Sequence, residues 1–322
     1  MDRRLFIKDA ALAGLGTAVA GSLVSCSRGQ GESNQETTAH EPQSKGAEPA
    51  AKGLFSVASG KDPAGITEAA VNALGGMGKF VSPGDVVVIK PNIGWDRRPE
   101  QAANTNPEVV ACLVRECVKA QAKKVIVTDN TCNDPRRCFR HSGIDEVVEA
   151  AGGVVRIPET RRFKEMDVGG VLVKNWPVDP LFLEADVRIN VPIAKHHGAS
   201  GLTLGMKNWY GAIGGNRGRL HQDIHQSIVD LAAFFNPDLV VLDAYRILLR
   251  NGPQGGNLKD VKMVGIVAAS TDQVSIDAFA ATLFGLDPSE LRYIVMAEKA
   301  GLGTADFASH DLKKIDLDEK AS

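Results

Sequence analysis

The feature that most constrains the fold of this chain is an alternation of short apolar runs with amphipathic helical segments, which begins near residue 81. The apolar run at 85–90 predicts a strand that is buried on both faces. The segment 106–121 predicts a helix, because Pro107 suits its first turn and apolar residues recur on one face. Further predicted strands are 124–129, 154–157, 185–194, 238–244 and 261–270, and further predicted helices are 144–153, 203–213, 222–235, 271–285 and 287–301.

This alternation predicts an α/β fold with three layers, in which helices cover both faces of a largely parallel, doubly wound sheet. The segment 170–176 predicts a small antiparallel excursion from that sheet. The folded part is expected to span 53–322, a length that suits one large domain or two closely packed lobes.

The first 25 residues predict an export signal that is no part of the fold. Arg3 and Arg4 precede an apolar, small-residue run that is too short for a comfortable membrane span. The paired arginines resemble the twin-arginine export motif, and the residues around Cys26 resemble a bacterial lipobox. We therefore expect a signal at 1–25, lipidation of Cys26, and a flexible linker at 26–52, whose polar composition cannot bury a core. An ordinary secretory signal with a chance cysteine is the alternative.

Export and charge together limit the partners that we expect. The twin-arginine resemblance implies a protein that crosses the membrane already folded, often around a cofactor. The lipid would then hold it on a membrane, facing the periplasm or the cell exterior. The chain has 37 basic and 39 acidic side chains, so no basic surplus points to nucleic acid. The expected partners are the membrane, through the lipid, and a small anionic molecule.

Polar residues follow several of the predicted strands at the points where those strands end. Lys90 and Asn92 follow the first strand, the residues 195–197 follow the strand at 185–194, and Asp243 lies at the end of a later strand. Ligands in open α/β sheets bind outside the carboxyl ends of the strands, so these residues predict one ligand site. A polar loop without a special role is the alternative for 195–197.

Three lysines are the candidates for binding the anion. Lys90, Lys195 and Lys207 are expected to neutralise its charge. Lys207 and Asn208 lie among glycines, a setting that suits phosphate or carboxylate binding. Gly255 belongs to a glycine-rich loop, which predicts either a cofactor contact or a structural turn.

Four histidines are candidate ligands of a transition metal. His196 and His197 are adjacent at a strand's end, so only one of them is expected to face the ligand. His221 and His225 are spaced as two zinc ligands on one helix face would be, although a capping or packing role is the alternative.

Cys132 and Cys138 share a predicted loop. Outside the cytoplasm they predict a disulfide, and the alternative is that both bind a metal beside Asp129. The sequence contains no CxxCxxC run, so a conventional ferredoxin-type cluster is not predicted.

Several segments together resemble the DUF362 family: KPN (90–92), NPEVV (106–110), KHHGASGLTLGMKNWYG (195–211), HQDIH (221–225), LDA (242–244) and GPQGG (252–256). The resemblance implies an α/β domain over nearly the whole mature chain. It also implies that Lys195, His197, Lys207, Asn208 and Asp243 belong to the family pattern. Many members carry an added ferredoxin-like segment with iron–sulfur clusters, which the printed sequence does not contain.

Two functions are expected from these observations. The first is an extracytoplasmic lipoprotein enzyme that uses a metal or metallocofactor for a redox reaction on a small anionic molecule. The second is a membrane-tethered module that binds an anion or metal without catalysis. For the enzyme, the predicted catalytic residues are Lys195, Lys207 and Asp243, the cofactor-binding residues are Lys90, Asn92, Asn208 and Gly255, and the metal ligands are His196, His197, His221 and His225.

Overall fold

The fold is taken from a computed structural model, which describes residues 53–318. The predicted signal at 1–25, the lipidation of Cys26 and the linker at 26–52 lie outside these described residues. Within 53–318, no helix combines the length and the apolar character that crossing a membrane requires.

The described strands and helices alternate along much of the chain. The strands are β1 (Leu54–Ser59), β2 (Val86–Pro91), β3 (Lys124–Val127), β4 (Val154–Val155), β5 (Lys164–Asp167), β6 (Asn175–Val178), β7 (Val187–Val191), β8 (Ile193–His197), β9 (Gly201–Thr203), β10 (Leu239–Leu248), β11 (Val261–Ser270) and β12 (Asp311–Asp316). The helices are α1 (Pro63–Ala73), α2 (Pro107–Lys119), α3 (Pro135–Ser142), α4 (Ile144–Ala150), α5 (Leu181–Glu184), α6 (Gly205–Asn208), α7 (Ile224–Phe235), α8 (Gln273–Leu283) and α9 (Arg292–Lys299).

Most of these strands form one sheet in the order β12-β1-β11-β10-β7-β2-β3-β4, and β8 joins it by pairing with β10 and β9. The strands from β10 to β4 run parallel to one another, as do β1 and β12. Strand β11 runs antiparallel to both of its neighbours. The predicted α/β fold with a largely parallel sheet is therefore confirmed. The predicted antiparallel excursion is the separate pair β5–β6, whose second strand begins at Asn175 rather than at residue 170.

Helices cover both faces of the sheet and enclose two apolar cores. One core joins α1, α2 and α4 to the sheet face that carries Val87 and Ile89. The other joins α7, α8 and α9 to the opposite face, which carries Val88. Successive residues of a strand point to opposite faces, so an uninterrupted apolar run serves both cores at once. This burial on both sides of the sheet produces the three layers.

The segment that leads into the predicted site differs most from its prediction. The strand predicted for 185–194 is interrupted at Pro192, which has no N–H to donate, and continues as β8 to His197. Strand β8 persists because it pairs with β10 on one side and with β9 on the other. The helix predicted for 203–213 is replaced by the end of β9, the single turn of α6 and a 3₁₀ turn at Trp209–Ala212. Residues 195–197 are therefore strand residues and not a loop.

Candidate functional site

A cavity of about 230 Å³ lies beyond the ends of β2 and β3 and beside β8. Four basic side chains line it, those of Lys90, Lys195, Lys207 and Arg217. Among the described residues that line it, Asp129 supplies the one carboxylate. Of the predicted catalytic, cofactor-binding and metal-binding residues, seven line this cavity: Lys90, Asn92, Lys195, His197, Lys207, Asn208 and His221.

A buried ion pair forms one wall of the cavity. Lys90 Nζ lies 2.6 Å from Asp129 Oδ1, and the other carboxylate oxygen accepts the N–H of Ile93 at 2.6 Å. Burial lowers the pKa of Lys90, while the charge of Asp129 opposes that shift. The backbone at Gly211 comes so close that a Cβ there would lie 1.7 Å from Asp129 Oδ1. Only glycine fits at that position, and the two paired charges largely cancel.

Two asparagines connect this ion pair to Lys195. The Oδ1 of Asn208 accepts from Lys90 Nζ at 3.1 Å and from Asn92 Nδ2 at 3.0 Å. The Nδ2 of Asn208 donates to the carbonyl of Lys90 and to Asn190 Oδ1. The Oδ1 of Asn92 accepts from Lys195 Nζ at 3.0 Å. These bonds satisfy the amide of Asn208 completely, so its role is to hold the two lysines in place.

Lys195 is buried without a carboxylate partner. Its ammonium donates to Asn92 Oδ1 and to the carbonyl of Ala103, the latter at 2.5 Å. Burial lowers the pKa of Lys195 to about 7. An amine with such a pKa is present in both protonation states near neutral pH, which suits it to give or take a proton.

Lys207 carries a buried charge that nothing in the described chain neutralises. Its side chain lines the cavity, and only 6% of the residue is exposed. Its Nζ lies 4.2 Å from the centre of the Tyr210 ring, and no hydrogen-bond acceptor contacts it among residues 53–318. Burial lowers the pKa of Lys207 to about 8. The ammonium is thus directed at the cavity with one face of an aromatic ring as its neighbour.

The short helix α6 places Lys207 and Asn208 on the cavity wall. The carboxylate of Asp277 accepts the N–H of Gly205 at 2.6 Å and that of Met206 at 3.1 Å. A Cβ at Gly205 would lie 2.8 Å from Asp277 Oδ1, so the contact needs glycine. Sequence analysis did not identify Asp277, because it lies in α8, far along the chain from the segment that it holds.

Arg217 adds a further positive charge at the cavity. Its Nη1 donates to the carbonyl of Asn130 at 2.6 Å, and its Nη2 donates to the carbonyl of Thr131 at 2.6 Å. Carbonyl partners fix the guanidinium without neutralising it. Since Lys90 and Asp129 cancel each other, Lys195, Lys207 and Arg217 leave the cavity positive. Sequence analysis missed Arg217, although Gly214, Gly215 and Gly218 lie beside it in the sequence.

His197 and His221 face the same cavity, with ring centroids 6.1 Å apart. The Nδ1 of His197 accepts the N–H groups of Ala199 and Ser200, at 3.1 and 3.2 Å, which assigns the ring proton to Nε2. Burial, and then the charge of Lys207, lower the pKa of His197 to about 3. The same two causes lower the pKa of His221. Both rings are therefore neutral at physiological pH.

The other two predicted metal ligands lie elsewhere. His196 projects from the opposite side of β8, where its Nδ1 accepts the N–H of Gly252 at 3.2 Å. His225 stacks on Tyr293 with ring centroids 6.2 Å apart. It does not share a helix face with His221, because α7 begins only at Ile224. Metal binding through a neutral imidazole needs a free lone pair, and that of His197 is already used.

The predicted metal centre is consequently not assembled in the described part of the chain. Within residues 53–318, no group of three or more His, Cys, Asp or Glu side chains is placed to hold a metal ion. Two histidines that face a positive cavity are a poor setting for a cation, because the neighbouring lysines repel it.

Two further predicted residues have structural surroundings instead. The Asp243 carboxylate accepts the N–H of Asn106, where α2 begins, at 2.7 Å and that of Tyr245 at 3.0 Å. Burial raises the pKa of Asp243 to about 6. Gly255 adopts a φ of +54° in a tight loop against Leu248. Of its two predicted roles, the structural turn is the one that this conformation supports. Neither residue lines the cavity.

Cys132 and Cys138 are both free thiols, so the structure does not contain the predicted disulfide. Cys132 lies in the loop after β3, exposed at the edge of the cavity. Cys138 is buried on the inner face of α3, where burial raises the pKa of its thiol to about 11. The helix begins between the two residues and turns Cys138 into the core.

Comparisons with known proteins give one family and one similar protein. The family profile described as "Domain of unknown function (DUF362)" matches residues 87–282. The Thylakoid-associated protein sll1697 of Synechocystis sp. is 30% identical over 238 residues, which cover 71% of this chain and 72% of that protein.

A solved structure shows a more distant likeness. The lactate racemase apoprotein from Thermoanaerobacterium thermosaccharolyticum matches with a TM-score of 0.38 and 14% identity. The match covers 67% of this chain and 54% of the solved chain. This chain therefore spans about half the length of the solved protein that it matches. At this TM-score the likeness carries no argument about activity.

Proposed function

Because this chain belongs to the DUF362 family, whose description names no activity, we propose a function from its cavity: it binds a small anionic molecule there. The observation that carries the proposal is the ammonium of Lys207, buried and without an acceptor among residues 53–318. A buried charge without a partner costs several kcal/mol, roughly, and a bound anion offsets that cost. Lys195 and Arg217 strengthen the attraction from the same walls.

We further propose that the protein is an enzyme that moves a proton to or from the bound anion. Lys195 is the candidate donor and acceptor, since burial brings its pKa to about 7. Hydrogen bonds through Asn208 and Asn92 connect Lys195 to Lys90 and hold the amine of Lys195 in a fixed direction. A binding module without catalysis is the alternative, and it would use the same cavity.

We also propose that the chain is exported and held on a membrane by a lipidated Cys26. Arg3, Arg4 and the residues before Cys26 support this proposal at the level of sequence. The Synechocystis relative is named as thylakoid-associated, which supports a place at a membrane for this chain as well.

Anion binding is tested by calorimetry of the full chain with phosphate, sulfate and short mono- and dicarboxylates, and with the amides of those acids as neutral controls. We expect saturable binding of at least one anion, with proton uptake near pH 8 because the anion raises the pKa of Lys207. Lys207→Gln should weaken that binding about tenfold or more, roughly 1.4 kcal/mol. The exposed Lys123→Gln is the matched control. Equal binding by both variants, or none by the wild type, contradicts the proposal.

Catalysis is separated from binding by incubating the protein and a bound carboxylate in D₂O. An enzyme that moves protons exchanges hydrogen for deuterium at the carbon beside the carboxylate, which NMR detects. Lys195→Gln should stop the exchange while anion binding persists. Binding without any exchange supports the module instead.

A further inference from the structure

One thiol stands apart from the other described cysteines. Burial raises the pKa of Cys112 and Cys138 to about 11 and that of Cys117 to about 12, which makes those thiols unreactive. Cys132 is exposed, and it lines the cavity. Its own N–H donates to the carbonyl of Gly94 at 2.8 Å, so the backbone holds it in place.

Cys132 shares its cavity with several cationic side chains. The guanidinium of Arg217 approaches it with Nη2 at 4.0 Å from Sγ. Among the described residues, Lys195 and Lys207 line the same cavity without a carboxylate partner, whereas Lys90 is paired with Asp129. The thiolate is the nucleophilic form of cysteine. The proposed anion function makes no use of this thiol.

A second observation shows that the same cavity is built for a ligand. Lys207 is 6% exposed and Thr203 is 5% exposed, and both line the cavity. The Lys207 ammonium has no acceptor in the described chain, and the Thr203 hydroxyl has no hydrogen-bond partner there either. A buried hydroxyl without a partner in the described chain and the ammonium of Lys207 therefore line the same cavity as an exposed thiol.

We propose that Cys132 is a nucleophile that forms a thioether with small carboxylates carrying an electrophilic carbon, and that α,β-unsaturated carboxylates are the class it takes. This proposal rests on the anion site for one end of the ligand, because Lys207 holds the carboxylate while the sulfur attacks. The sulfur bonds to the β-carbon, and the electrons of the carbon–carbon π bond move to the α-carbon. The α-carbon takes the proton that the thiol lost. Nothing is oxidised or reduced overall.

The probes are iodoacetate, which is anionic, and iodoacetamide, its neutral counterpart. With either, the sulfur–carbon bond forms and iodide leaves with the electrons of the carbon–iodine bond. The full chain is labelled folded and, separately, unfolded in urea, and mass spectrometry measures the rate at Cys132 alone. We expect the ratio of the iodoacetate rate to the iodoacetamide rate to be about tenfold higher in the folded protein, because the cationic cavity concentrates the anion.

Three controls decide the interpretation. Lys207→Gln should lower the folded ratio towards the unfolded one, while the exposed Lys123→Gln should leave it unchanged. Cys132→Ser should remove the label from that peptide, and phosphate should slow iodoacetate at Cys132 in the wild type. A folded ratio equal to the unfolded ratio overturns the proposal.

The outcomes also separate this proposal from the anion site. If calorimetry shows phosphate binding that Lys207→Gln loses, but the folded and unfolded labelling ratios agree, the anion site stands and the nucleophile fails. If none of the anions binds in calorimetry, phosphate does not slow labelling, and the ratios agree, both proposals fail. A raised folded ratio, together with thioether formation from acrylate at Cys132, supports the nucleophile directly.

Discussion

Replacing Lys207 with methionine should make the protein more stable, although it removes a side chain from the proposed site. Burial lowers the pKa of Lys207 from 10.5 to about 8. Each unit of pKa corresponds to about 1.4 kcal/mol, so the buried charge costs about 3 kcal/mol at pH 7. Methionine has a similar length and no charge to bury. We therefore expect Lys207→Met to raise the free energy of unfolding at pH 7 by about 3 kcal/mol.

The gain should depend on pH in a direction that the pKa shift determines. The unfolded chain keeps the lysine proton up to about pH 10.5, whereas the folded protein releases it near pH 8. Between these values the unfolded state binds more protons, so the stability of the wild type rises with pH. The advantage of Lys207→Met should therefore be full below pH 8 and should decline to nothing as pH approaches 10.5.

Urea unfolding followed by circular dichroism at pH 6, 7, 8.5 and 9.5 measures the effect. In thermal unfolding, about 3 kcal/mol corresponds to roughly 6–12 °C for a domain of this size. The exposed Lys123→Met is the matched control and should change stability by less than about 0.5 kcal/mol. Phosphate that binds the site should stabilise the wild type but not Lys207→Met.

Three results would refute this reasoning. Lys207→Met could be less stable than the wild type at pH 7, or no more stable than Lys123→Met. It could also be more stable by an amount that does not change with pH. In the first two cases the ammonium already has a compensating partner in the folded protein. In the third, the gain comes from packing and not from charge.

Two further predictions concern the cavity wall and the N-terminus. Gly211→Ala should displace the Asp129 carboxylate, because a Cβ would lie 1.7 Å from its Oδ1, and should cost about 3 kcal/mol in urea unfolding. Gly78→Ala, where a Cβ meets nothing within 4 Å, is its control, and equal stability of the two variants would contradict the account. Changing Arg3 and Arg4 to lysines should block export, and Cys26→Ala should release the protein from membranes, both measured by cell fractionation. Normal export of the double-lysine form in a host without the twin-arginine machinery would contradict the export proposal.

The residues predicted for the site were recovered unevenly, and position along the strands explains the difference. Lys90, Asn92 and Lys195 follow or lie in strands of the parallel sheet, and the carboxyl ends of such strands meet at one edge. Asp243 also lies in a parallel strand, but its carboxylate accepts hydrogen bonds from two backbone N–H groups and does not line the cavity. Asp129 follows β3 and forms an ion pair with Lys90. No spacing in the sequence predicts that ion pair.

The sequence by itself determined the α/β layers. Apolar runs such as 85–90 and amphipathic segments such as 106–121 are local patterns, and burial on one face or two follows from side-chain direction alone. Caps are local as well, since Asn106 and Pro107 start α2 with their own side chains.

Only the tertiary structure decided the contents of the cavity. Strand β8 continues to His197 because β10 and β9 pair with it, and the alternation of side chains along it turns His197 inward and His196 outward. Lys207 is charged and unpaired because of what packs around it, which depends on residues far away in the chain. Hydrogen bonds between distant segments and the loss of water on burial are collective properties of the folded chain, so no local pattern encodes them.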